Sequence, residues 1–142
     1  MLEVGPMKTL YATLILGLIV LASCTKEQRI VNRMEGKWTV LEAEISNTGT
    51  FEPNMVFQFD YCKQRKQDFC DYSLHDFDQD FTVNGTYAIG NNGESVILSS
   101  LSGWGNNFEE FEIEKLNSRR LRLVNYDAEN GEYRRFELKS ID

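Results

Sequence analysis

Apolar positions change their spacing twice along this chain. From 10 to 22 they form an almost unbroken run with one glycine and no charge. Between 25 and 35 they fall at Ile30, Val31 and Met34, one side of a short amphipathic helix. Beyond Gly36 the period drops to two and stays there. That alternation predicts eight short strands, at 37–45, 55–62, 69–75, 80–89, 94–101, 108–115, 119–126 and 132–140. The stretches "GNNGES", "KLNSRR" and "AENGEY" between them carry turn chemistry. Short strands with no intervening helix predict an antiparallel barrel or sandwich. Closing the sheet removes its edges, which favours the barrel. The expected fold is therefore all-β, an eight-stranded antiparallel up-and-down barrel preceded by a short N-terminal helix.

The last two hairpins suggest a register. A two-residue Asn130-Gly131 turn of type I′ sets Leu123 opposite Leu138, Asn125 opposite Phe136 and Asp127 opposite Arg134. A turn centred on Asn117 sets Ile113 opposite Leu121 and Phe111 opposite Leu123. On the outer face it opposes Glu112 to Arg122 and Glu114 to Arg120. Cross-strand pairs of these kinds contribute roughly 0.2–1 kcal/mol each.

The first apolar run is too short for a membrane span, which needs about 20 residues. Lys8 precedes it and Ala22-Ser23 follow, the layout of a signal peptide. Met7-Lys8 offers an alternative start to Met1. Leu21-Ala22-Ser23-Cys24 resembles the lipobox of bacterial lipoproteins. The resemblance implies cleavage before Cys24, diacylglycerol on its thiol and acylation of the new N-terminus, hence a lipid-anchored protein of the cell envelope. Thr25 stands where some bacteria use an aspartate to retain lipoproteins at the inner membrane, which points to the outer one. The chain then divides into a signal peptide (1–23), a lipidated tether with the short helix (24–35) and a barrel domain (36–142).

Losing 1–23 removes one Lys and one Glu, so the net charge stays at −7. An acidic domain argues against nucleic acid and against electrostatic attachment to anionic lipid. With Cys24 taken by lipid, Cys62 and Cys70 remain. In an exported protein they suggest a disulfide, with free thiols or metal ligation as the alternatives.

Gly36-Lys37-Trp38, opening the first strand after a short helix, resembles the Gly-x-Trp signature of lipocalins. More closely, the layout resembles the lipocalin-like domains of bacterial lipoproteins, small barrels of the calycin type. The resemblance implies that Gly36 and Trp38 close the barrel base, and that the barrel holds a small hydrophobic or amphipathic molecule. Where full lipocalins carry an arginine near the end of the last strand, this chain reads Leu138-Lys139-Ser140.

Phe57, Phe59, Tyr61, Phe81, Tyr87, Phe111 and Phe136 are plentiful on the alternating faces, either lining a cavity or filling a barrel with little room to spare. If Cys62 pairs with Cys70, the same register sets Phe59 opposite Ser73 and Phe57 opposite His75, a pocket with polar handles. Arg134 shares a face with Phe136 and points inward. It either holds a ligand carboxylate or pairs with Asp127. Trp104, between two glycines, forms a lip over the mouth or caps the barrel end. Asp76, Asp78 and Asp80 have the spacing that opens a calcium loop, but Phe81 stands where its glycine belongs. His75 is the only histidine, and no catalytic pair, cofactor motif or metal set stands out. The reading is a binding protein without enzymatic activity, cofactor or metal. The rival is an interaction module with a filled barrel, resembling the small lipoproteins that inhibit lysozyme.

Overall fold

The computed structural model describes residues 25–99, 108–127 and 131–142, with Asp127 described in its backbone alone. The leader, Cys24, Trp104 and Asn130 lie outside the described residues. Helix α1 (Lys26–Met34) begins where Thr25 Oγ1 accepts the Gln28 N–H at 3.1 Å, an N-cap. Val31 and Met34 are fully buried. The chain then turns at Gly36, whose φ of 120° and closeness to the Asp142 carboxylate leave no place for a Cβ. Trp38 Nε1 donates to the Met34 carbonyl at 2.8 Å, fastening the helix over one end of the barrel.

The strands are β1 (Gly36–Ile45), β2 (Gly49–Phe51), β3 (Met55–Phe59), β4 (Cys70–Asp76), β5 (Phe81–Gly90), β6 (Ser95–Ser99), β7 (Phe108–Leu116), β8 (Arg120–Asp127) and β9 (Glu132–Ser140). From β3 to β9 each pairs antiparallel with the next, and β1 pairs with both β3 and β9. Eight strands thus close an up-and-down barrel. The ninth, β2, was not legible as alternation. Asn47 and Gly49 take positive φ and fold it back on β1, with Ala43 opposite Phe51. A bulge between Val40 and Glu42 lets β1 bend while Trp38, Val40 and Ala43 all stay buried.

Three expected registers are corrected. In β8–β9, Leu123 faces Phe136, Leu121 faces Leu138 and Asn125 faces Arg134. This two-residue shift keeps every side chain on its face. It also replaces the like-charged Arg122/Lys139 pair of a two-residue turn with Arg122 opposite Glu137. In β7–β8, Asn117 Oδ1 accepts the Arg119 and Arg120 N–H groups at 2.9 and 2.8 Å. That tight turn sets Leu116 opposite Leu121. A bulge at Glu114 then brings Ile113 opposite Leu123, so neither Ile113/Leu121 nor Phe111/Leu123 forms.

The third correction matters most. Cys62 and Cys70 are bonded, with Cα atoms 5.4 Å apart. Cys62, however, lies beyond the end of β3, so the disulfide is not a cross-strand pair and does not set the register. Phe59 faces Tyr72 and Phe57 faces Leu74. A slip of one residue reverses the faces: Tyr72 and Leu74 enter the barrel, and Ser73 and His75 leave it.

Candidate ligand site at the barrel mouth

The closed end and middle of the barrel are packed. Phe57 and Phe59 stack with ring centroids 5.6 Å apart, Phe59 meets Tyr87 edge-on at 5.2 Å, and Phe57 meets Phe136 at 6.4 Å. Phe136 in turn lies 5.8 Å from Phe111. Phe57, Phe59, Tyr87 and Phe111 are all essentially inaccessible to solvent. These rings therefore form the floor of any site inside the barrel.

There the inner faces of β7, β8 and β9 carry polar groups. Arg134 lies over the Phe111 ring, its guanidinium carbon 5.6 Å from the centroid, a cation–π arrangement. Its Nη1 is 3.0 Å from Glu109 Oε2, and its Nη2 donates to Asn125 Oδ1 at 3.3 Å. Arg134 Nε and Glu109 Oε2 are buried without an aligned hydrogen bond. The pair is thus well placed for charge attraction but leaves hydrogen-bonding capacity in the mouth. Beside it Tyr72 donates its hydroxyl to the Ser99 carbonyl. Burial first, then the Glu109 carboxylate, pushes that hydroxyl up to about 12. Gly85 makes room for Tyr72: a Cβ there would meet the Ser99 carbonyl at 2.6 Å and the Tyr72 ring at 2.7 Å.

Of the residues singled out in the sequence, Phe57, Phe59 and Tyr87 belong to the packed floor. Tyr87 donates its hydroxyl to the Asp60 carbonyl at 2.6 Å. Arg134 points inward, with Glu109 and Asn125 as partners, and the register sets Asn125 opposite it and Asp127 opposite Glu132, where the sequence reading set Asp127 opposite Arg134. Ser73 and His75 do not line the barrel. On the outer face His75 Nδ1 is 2.6 Å from Thr82 Oγ1, and its ring meets Phe77. Trp104, expected as a lip or as a cap of the barrel end, lies outside the described residues. Gly36 and Trp38 stand at the closed end under α1, as the motif implied.

Sequence reasoning missed Glu109, Asn125 and Tyr72. The first two were within reach, since Glu109 shares strand parity with Phe111 and Asn125 with Leu123. Tyr72 was hidden by the one-residue error in register.

No protein-family model matches this chain, and no curated protein matches it. Solved structures do. A lipocalin-like protein of Bacteroides uniformis is 14% identical, with a TM-score of 0.53, over 77% of this chain and 99% of that one. A bovine lipocalin allergen is 15% identical, with a TM-score of 0.51, over 77% and 73%. A redesigned β-barrel reaches 0.56 at 10% identity, over 80% and 96%. At such identities the likeness is one of fold: this is a lipocalin-like barrel.

Proposed function

We propose that this lipocalin-like barrel is a lipid-anchored binding protein of the bacterial cell envelope, taking a small amphipathic molecule at its mouth. The observation that carries the reading is Arg134, an inward cation resting on Phe111 with its Nε unsatisfied. Holding a charge pair inside a barrel is costly unless the arrangement is well satisfied or used. A ligand carboxylate can take up the free capacity of Arg134, while its apolar part covers Phe136 and Leu74. The packed floor makes the site shallow, suited to a short or ring-shaped apolar group.

Native mass spectrometry of the chain purified from a bacterial envelope is the direct test. A co-purifying small molecule is expected, together with displacement of an anionic fluorophore by medium-chain carboxylates. Hydrogen bonds to charged groups contribute about 1.5–3 kcal/mol, so Arg134→Gln is expected to weaken that binding roughly ten- to hundredfold. Bare protein and no displacement would sink the carrier reading. The anchor is tested separately: Cys24→Ser is expected to move the chain from the membrane to the soluble fraction and to abolish palmitate labelling. Unchanged membrane retention would refute it.

One feature favours the second reading, a protein-interaction module. The floor is filled, while Phe77 and Phe81, each about half exposed, stand beside Asp76, Asp78 and Asp80 on one hairpin tip. That tip suits a basic envelope enzyme such as lysozyme. Inhibition of lysozyme that is lost in Phe77→Ser/Phe81→Ser would favour it over the carrier.

A further inference from the structure

The side chains aimed into the mouth divide by side. Carried outward from the packed floor, the alternation of β1–β5 brings Ile45, Phe51, Met55, Leu74, Val83 and Phe81 to the inner face. All six are apolar. Met55 and Leu74 pack against the core, while Phe51 and Phe81 remain 40% and 52% exposed. Asp76 is the charged residue of this wall among the described residues. Its Oδ1 is taken up by its own turn, accepting the Asp78 and Gln79 N–H groups at 2.9 and 3.2 Å.

The remaining wall, from β7 to β9, is polar and consists of Glu109, Asn125 and Arg134. Glu132 stands two residues nearer the turn and is exposed. Asn125 uses both ends of its amide, Oδ1 accepting from Arg134 and Nδ2 donating to the Glu110 carbonyl at 2.7 Å. Tyr72 is committed to the Ser99 carbonyl. What is left over in this wall is one donor, Arg134 Nε, and one acceptor, Glu109 Oε2, both buried. They belong to a single ion pair, so a ligand that reaches one meets the other. A bare carboxylate satisfies the arginine but sets a second negative charge against Glu109. A hydroxyl beside that carboxylate turns the repulsion into a hydrogen bond.

We infer that the ligand of this mouth is an amphipathic hydroxy acid, its hydroxyl next to the acid group, and that Glu109 is the residue that selects for the hydroxyl. The inference rests on the carrier reading and adds the chemistry of the head group. The acid lies on Arg134, the neighbouring hydroxyl donates to Glu109 Oε2, and the apolar chain lies across to Phe51, Met55 and Phe81. Specificity of this kind works chiefly by rejection. An analogue without the donor leaves a buried acceptor unpaired beside a like charge. Sites built to hydrogen-bond a ligand hydroxyl discriminate strongly against analogues that lack it.

Isothermal titration calorimetry on the full chain carrying Cys24→Ser compares 3-hydroxyoctanoate, 3-methoxyoctanoate and octanoate. The hydroxy acid is expected to bind roughly tenfold or more tightly than either analogue. The methoxy acid keeps the oxygen and loses only the donor, so equal binding of the methoxy and hydroxy acids would overturn the inference. Glu109→Gln removes the charge at nearly the same size. It is expected to tighten octanoate and to bring the three acids within about threefold of one another. Phe51→Ser, an exposed change, is expected to weaken all three alike, roughly fivefold, and to leave their order intact. Equal affinity for the three acids in the parent chain, an undiminished preference in Glu109→Gln, or indifference to Phe51→Ser would each overturn the inference and leave the carrier reading standing. Heat from none of the three acids would sink the carrier reading itself, and this inference with it.

Discussion

Gly85 and Tyr72 show how much one position decides. The tyrosine enters the barrel only because its cross-strand partner has no side chain. Gly85→Ala puts a Cβ against both the Ser99 carbonyl and the Tyr72 ring. Overpacking of this kind costs typically 1–3 kcal/mol, and urea unfolding is expected to show a loss in that range. The inner phenols also set an alkaline limit. An unfolded tyrosine titrates at 10.0, whereas burial and then Glu109 hold Tyr72 protonated to about 12, and Tyr87 is pushed up as well, mainly by burial. The unfolded chain therefore releases protons that the folded chain keeps. The stabilisation is complete below pH 10 and is lost as pH rises from there through about 12. Denaturant midpoints measured across that window should fall, while phenolate absorbance from Tyr72 and Tyr87 appears only as the chain unfolds. At this scale the inward direction of Arg134 was readable from alternation. Its partner was not, because a partner depends on the register of a second strand.

At the scale of elements, alternation located all eight barrel strands and the helix. It missed β2, since three residues are too few to show a period. It also missed the bulges at Leu41 and Glu114, where the chain breaks the alternation so that the sheet can bend. The disulfide belongs here too. It closes a loop of sequence separation 8 and holds that loop against α1 through Gln28. Cys62→Ser/Cys70→Ser is expected to lower stability by roughly 2–3 kcal/mol by loop-closure entropy. It should also raise proteolytic cleavage within 62–67, since Gln28 alone then holds the loop. Unchanged unfolding and cleavage would mean that the packing of α1, not the bond, holds the loop. Outer-face ion pairs such as Arg135 with Glu42 and Glu44 contribute less, being partly exposed.

The whole molecule divides into a packed lower barrel closed by α1 and a polar mouth. The packed part is testable by excavation. Phe57 touches Phe59, Tyr72 and Phe136, and Phe→Ala in a core costs about 3–5 kcal/mol. Phe57→Ala is expected to lose that much in urea unfolding while gaining uptake of an apolar dye through the mouth. Loss of stability without dye uptake would mean that the space collapses or stays closed to the mouth.

By itself the sequence determined the period-two pattern, the number of barrel strands, the helix, the Gly36-Lys37-Trp38 base and the inward face of the last strands. These depend on spacing within one segment, and local geometry settles them. Only the tertiary structure decided that Ser73 and His75 face solvent while Tyr72 and Leu74 face the core, that Glu109 meets Arg134, and that Gln28 of α1 holds the disulfide loop. Each of these depends on how one segment slides past another. A slide of one residue exchanges the two faces of a strand, and a slide of two exchanges its partners. Register is set jointly by turns, bulges and barrel closure, so no single segment carries it.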